Sequence, residues 1–127
     1  MVCVIMSSLS DKIRESRKLE IVVDGVTFYA QRPSVDDFYS AVQKSLRDVQ
    51  ICKNHITGWD GMRESDVFPG GSDDDVPFDA QLWADALPDC PHFYTPLAKA
   101  LFKATTDFIA ERGKQEKNLK PGSKPGK

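Results

Sequence analysis

The clearest hydrophobic pattern in the chain is a pair of short runs, residues 19–23 and 26–30, which are rich in β-branched and aromatic side chains. Asp24 and Gly25 separate the runs, and this dipeptide is typical of a type I′ turn, in which both central residues have positive φ. The predicted cross-strand pairs on one apolar face are Leu19 with Ala30, Ile21 with Phe28 and Val23 with Val26. Because a lone hairpin is marginal in water, it must pack on helices of its own domain or pair with another chain.

A helical pattern follows the hairpin. Ser34 is a predicted N-cap, and acidic residues after it suit the positive end of a helix dipole. Apolar residues then recur at helical spacing, which predicts a helix over residues 35–53 that covers the hairpin. Residues 56–79 come next and are too rich in Gly, Pro and Asp for a helix or a strand.

Two further helices are predicted in the second half of the chain. Asp79 is a good N-cap for a short helix over residues 80–87. Thr95, which precedes a proline, predicts the start of the last helix over residues 96–112. Gly113 is the expected C-terminal cap of that helix.

The order of these elements predicts an α+β fold, in which an N-terminal antiparallel β-hairpin packs on about three α-helices. The chain of 127 residues is long enough for one domain with a real core. We expect a flexible leader over residues 1–18, with a ragged helical turn over residues 10–18 as the alternative. Residues 19–113 form the predicted domain, and residues 114–127 form a predicted disordered, basic tail.

Charge is distributed unevenly around the net value of −2. Residues 1–113 contain 12 basic and 18 acidic residues, whereas residues 114–127 contain five lysines and one glutamate. An acidic body argues against a nucleic-acid-binding surface, which needs clustered Lys and Arg. The basic tail is either a solubilising end or a contact for an acidic partner. No apolar run approaches the roughly 20 residues of a membrane span, so no membrane contact is expected.

The sequence contains few residues in a catalytic or metal-binding pattern. Cys52, His55, Cys90 and His92 could together supply four zinc ligands, but their spacing does not fit the usual modules, so packed cysteines are the favoured alternative. Residues 73–75 are three aspartates, yet the alternating acids of a calcium loop are lacking, which favours a solvated and mobile loop. No nucleophile elbow or phosphate loop is present. We therefore expect no enzyme activity, no metal and no cofactor.

Aromatic side chains crowd the region that has no predicted strand. Such residues either fill the core or form a surface that binds another protein. Both alternatives stay open for each residue, and we expect at least a few to be exposed. The candidate protein-binding residues are Trp59, Phe68, Phe78, Trp83, Phe93 and Phe102.

Taken together, the motifs resemble the tail assembly chaperones of long-tailed bacteriophages and prophages. The resemblance rests on Ile-Thr-Gly-Trp-Asp-Gly-Met at residues 56–62, on Val-Pro-Phe-Asp at residues 76–79 and on the Asp-Cys-Pro connector at residues 89–91. It covers roughly residues 19–109. The Gly-Gly and triple-Asp loop is longer than the family pattern.

The resemblance implies a non-enzymatic protein of the host bacterial cytoplasm. Members of this family bind the long, hydrophobic tape measure protein, and the tail tube protein is a second expected partner. They self-associate and are absent from the finished particle. A structural virion component, such as a head–tail connector or a minor tail protein, is the alternative that would remain in the particle.

Overall fold

The predicted hairpin forms the first two strands of a three-stranded antiparallel sheet. The computed structural model describes residues 8–119, with side chains described as far as Gln115. Strand β1 is Lys18–Val23 and β2 is Val26–Gln31, and the three predicted cross-strand pairs are all present. Asp24 and Gly25 have φ values of 51° and 81°, which confirms the predicted turn.

A third strand corrects the prediction for the middle of the chain. Strand β3, Ile56–Asp60, pairs with β2, so the sheet order is β1-β2-β3. The expectation that residues 56–79 contain no strand is therefore wrong. Gly58 pairs with Tyr29 of β2, and a Cβ at Gly58 would stand 3.6 Å from Tyr29 Cδ2, an ordinary contact distance.

The helix predicted over residues 35–53 is divided in two. Helix α1, Ser8–Ser16, precedes the sheet, α2 is Val35–Lys44 and α3 is Asp48–His55. Ser45 ends α2 with a left-handed backbone, φ 55°, and the amide of Leu46 donates to Ala41 O at 3.0 Å. The predicted N-cap is confirmed, since Ser34 Oγ accepts from the amide of Asp37 at 3.0 Å.

The predicted flexible leader, residues 1–18, contains helix α1. Of the two alternatives for residues 10–18, the structure has the helical one, in α1. None of the side chains of α1 is buried. Residues 1–7 lie outside the described part of the chain.

The second half of the chain is helical. Helix α4 is Glu64–Val67, α5 is Ala80–Ala86, a 3₁₀ turn covers Leu87–Asp89, and α6 is Pro91–Leu119. Asp79 caps α5 as predicted, because its carboxylate accepts from the amide of Leu82 at 2.9 Å.

Helix α6 is longer at both ends than predicted. It starts at Pro91 and contains Pro96, because Phe93, Leu97 and Leu101 form one buried stripe at a spacing of four residues. It also passes Gly113, since the good helix formers after this residue outweigh a cost of about 1 kcal/mol for one glycine. The region predicted as a disordered tail, residues 114–127, begins within α6, which runs to Leu119, and residues 120–127 lie outside the described part.

The molecule has the predicted α+β fold, with one hydrophobic core between the inner face of the sheet and helices α3, α5 and α6. The inward residues of β2 are almost fully buried, namely Val26, Phe28 and Ala30. The hairpin thus packs on its own domain. Within residues 8–119 no helix has both the length and the apolar character needed to cross a membrane.

Candidate functional site

Three of the six candidate protein-binding residues belong to the core. Trp59, Trp83 and Phe93 are at most 7% exposed and surround the ring of Phe28. We call these four residues the aromatic cluster. Its ring centroids lie 5.2–6.4 Å from that of Phe28, a spacing typical of edge-to-face and tilted contacts. The three candidates therefore do not present a surface to a partner, and for them the core alternative holds.

Two further candidates are half-buried. Phe78 and Trp59 form an edge-to-face pair, with ring centroids 4.8 Å apart. Phe102, on α6, packs against Phe38 of α2 at 5.6 Å. Both side chains therefore serve mainly to join elements of the domain, and each leaves part of its surface accessible.

Phe68 is the candidate that is exposed. Its side chain is 62% accessible, and it lies directly after α4 at one wall of an open groove of about 590 Å³. We call this feature the Phe68 groove. Its apolar lining consists of Val67, Phe68, Val76, Pro77, Leu82 and Ala86. Its size lies within the range of about 300–1,000 Å³ that is common for binding clefts.

Carboxylates surround this apolar lining. The acidic residues of the groove are Glu64, Asp74, Asp75, Asp85 and Asp89. None of them forms an ion pair with a lysine, arginine or histidine of the described residues. The groove therefore combines an exposed apolar floor with uncompensated negative charge.

The two motif segments meet beneath the groove. The indole N–H of Trp59, at the end of β3, donates to Val76 O at 2.7 Å. The amide of Val76 in turn donates to Met62 O at 2.9 Å, and Met62 is fully buried. Residues 56–62 thus hold the wall of the groove in place from the interior, whereas Val76 and Pro77 of the second segment line the groove itself.

The acidic, Gly-rich loop is held in place by hydrogen bonds, although its sequence predicts a mobile turn. Glu64 Oε1 accepts from the amide and the hydroxyl of Ser72 at 3.1 and 2.8 Å. These two bonds lower the pKa of Glu64, the hydroxyl having the larger effect. Main-chain bonds run from Glu64 to Asp74 and from Ser65 to Ser72.

Gly71 lies so close to α4 that a Cβ there would stand 2.7 Å from Glu64 Cγ and 3.0 Å from Glu64 C and O. The loop therefore forms a fixed wall of the groove.

The sequence pattern did not predict that α5 has a second apolar surface, which lines the groove. The pattern of Leu82, Trp83, Ala86 and Leu87 predicts one apolar side, but the structure divides it. Trp83 and Leu87 face the core, whereas Leu82 and Ala86 line the groove. Two adjacent apolar pairs form a stripe wider than one buried face requires, and this width is the signal that was available.

The candidate zinc ligands are not brought together. Within the described residues, no group of three or more His, Cys, Asp or Glu side chains could hold a metal ion. Cys52 is fully buried, its thiol lies 3.5 Å from Tyr94 O, and burial raises its pKa to about 12. His92 is exposed, and its ring lies at a tilt of 40° to that of the buried Phe93, with ring centroids 4.2 Å apart.

Comparisons of this chain with protein-family models, with curated proteins and with solved structures gave no significant match.

Proposed function

We propose that this chain is a non-enzymatic tail assembly chaperone of a long-tailed bacteriophage or prophage, which binds the tape measure protein in the host cytoplasm. The tail tube protein and further copies of the chain are its other proposed partners. The proposal starts from the resemblance carried by residues 56–62, 76–79 and 89–91.

The observation that supports binding to another polypeptide is the Phe68 groove. An exposed aromatic residue beside an apolar floor is a usual anchor point of protein interfaces. A groove of this shape suits an amphipathic helix, which lays its apolar side on the floor. The tape measure protein, which is long and hydrophobic, would offer many such segments before the tail tube assembles around it.

The carboxylates of the groove add a preference for the charge of the bound segment. Lysine or arginine residues beside the apolar stripe of a partner helix would face Glu64, Asp75 or Asp85. Charge complementarity of this kind acts mainly on the rate of association and on specificity, and it weakens as salt is added.

The test is capture of the tape measure protein encoded by the same genome, with both proteins produced together. Phe68→Ser should reduce capture by about tenfold or more, as expected for the loss of an interface anchor. Tyr39→Ser is the matched control, since Tyr39 is also an exposed aromatic, 53% accessible, and lies on α2 outside the groove. Circular dichroism should show both variants folded.

If Phe68→Ser and Tyr39→Ser captured equal amounts of the tape measure protein, the Phe68 groove would not be the binding site. Mass spectrometry of purified virions addresses the role itself. A chaperone is absent from the finished particle, whereas a head–tail connector or a minor tail protein is present in it. Detection of this chain at a fixed copy number in virions would therefore replace the chaperone role by the structural one.

A further inference from the structure

A second cavity, distant in sequence from the Phe68 groove, contains three arginines. It has a volume of about 380 Å³ and lies where α1, the end of β2, the start of α2 and the second half of α6 meet. Arg17, Arg32 and Arg112 line it together with Ile13, Val35 and Phe108. We call it the arginine cavity.

Arg32 is buried in an unusual way for a cation. It is 7% exposed, its guanidinium carbon lies 3.9 Å from the centre of the Phe108 ring, and one of its nitrogens donates to Pro33 O at 2.8 Å. Burial, and then the charge of Arg17, lower the pKa of Arg32. A stacked guanidinium of this kind still has donors left for a further acceptor.

Arg17 adds a second positive charge that has no acid partner among the described residues. Its Nε atom is buried and lacks a hydrogen-bond acceptor among the described residues, and its carbonyl accepts from the amide of Arg32 at 2.7 Å. Neither Arg17 nor Arg32 forms an ion pair with a carboxylate of the described chain. Arg17 is partly exposed, whereas Arg32 is buried. Buried charges in proteins are normally paired, so the buried Arg32 beside a second positive charge favours the binding of an anion here.

The remaining walls define the kind of anion. Val35 is the first residue of α2, so the positive end of that ten-residue helix adjoins the cavity. Asp36 and Asp37 follow on this helix but do not line the cavity. Ile13, Val35 and Phe108 offer an apolar surface beside the guanidinium groups.

We propose that the arginine cavity binds a carboxylate attached to an apolar group. The two carboxylate oxygens would accept from Arg17 and Arg32, and the apolar group would lie against Ile13, Val35 and Phe108. The site is separate from the Phe68 groove and does not depend on the chaperone role. Its volume is at the lower end of the range for small-ligand clefts, about 300–1,000 Å³.

The test observes the arginine Nε–Hε signals of the full chain by NMR during titration with sodium hexanoate, with sodium acetate and with inorganic phosphate. Each titration is compared with sodium chloride at the same ionic strength. Hexanoate should shift the signals of Arg17 and Arg32 in a saturable way and bind more tightly than acetate or phosphate. Phosphate as the tightest ligand, or a response that chloride reproduces, would overturn the proposal.

Variants locate the site. Arg17→Gln should weaken hexanoate binding by about tenfold or more, because a charge-assisted hydrogen bond is lost. Arg47→Gln, a change of an exposed arginine outside the cavity, is the matched control and should bind as before. Arg32→Lys keeps the charge but loses the planar fork, and it serves as the second variant if Arg17→Gln does not fold. Unchanged affinity in the folded variant would overturn the proposal.

A last control asks whether the chain itself provides the anion. Outside the described side chains, Glu116 is the one side-chain carboxylate in the sequence. Glu116→Gln should leave hexanoate affinity unchanged. If hexanoate binds only after this substitution, the carboxylate of the chain occupies the cavity and the proposal of an external ligand fails.

Discussion

Trp59 and Phe68 stand nine positions apart in one aromatic-rich stretch, and they have opposite surroundings. Trp59 is 7% exposed and contacts three other aromatic rings, whereas Phe68 is 62% exposed and lies at the wall of a groove. Trp59 lies on β3, in which it and Ile56 are the buried residues. Phe68 follows a four-residue helix that runs along the surface.

The difference teaches that composition alone does not separate a core aromatic from a contact aromatic. What separates them is the backbone framework around each residue. The indole N–H of Trp59 has an acceptor in Val76 O, so its polar atom is satisfied inside the protein. The Phe68 ring has no polar atom to satisfy and lies mostly in solvent, so it is available to a partner.

The largest effect should come from replacing the two rings by alanine. Trp59→Ala should lower the free energy of unfolding by about 3–5 kcal/mol, because it opens a cavity in the aromatic cluster. Phe68→Ala should change it by about 0.5 kcal/mol or less, since the ring is mostly in water. Urea unfolding measures both. Similar losses for the two variants would mean that Phe68 is part of the core.

An intermediate effect should come from the groove wall. Gly71→Ala should lower the free energy of unfolding by about 1–3 kcal/mol, because the added methyl group meets the backbone of Glu64. Gly113→Ala is the control, since it lies in α6 with open space around it and should raise the free energy by about 0.5–1 kcal/mol. Thermal unfolding compares the stability of the two variants. An unchanged stability of Gly71→Ala would show that the contact between Gly71 and the backbone of Glu64 can relax.

The smallest effect should be a change with pH at the same wall. The pKa of Glu64 is lowered in the folded protein, so the ionised form stabilises the loop. That contribution is complete above the ordinary value of 4.5 and is lost as the pH falls through the lowered pKa. The amide proton shift of Ser72 should report this transition below pH 4.5 in an NMR titration.

Glu64→Gln provides the control for the titration, because glutamine keeps an acceptor oxygen without a proton to gain. The Ser72 amide of this variant should show no acid transition of this kind. A midpoint at or above 4.5 in the unsubstituted protein would contradict the hydrogen bonds from Ser72 to Glu64.

Local chemistry made the hairpin and two helix starts predictable. The type I′ turn requires positive φ at both central positions, which Asp24 and Gly25 accommodate, and this turn sets the register of the whole hairpin. Ser34 and Asp79 accept from amides three residues later, a signal that depends on nearby positions only.

Features decided by tertiary packing were not predictable in the same way. Strand β3 contains Gly58, which local propensity disfavours, and it forms because Ile56 and Trp59 bury their side chains. The helix break at Ser45 could not be predicted from the sequence, because no Gly or Pro lies at this position. Of the candidate site, Phe68 is the residue found exposed. The carboxylates around it come from three separate segments between residues 64 and 89, which only the folded chain brings to one groove.

The bond between Val76 N and Met62 O has a consequence for how this molecule can change over time. It fastens the two ends of residues 63–75 together, directly above the buried Met62. An insertion or deletion within that segment leaves its anchor points, and hence the sheet, where they are. We therefore expect residues 63–75 to tolerate changes of length and sequence during evolution. Such changes would alter the partner that the protein binds and leave its hydrophobic core unchanged.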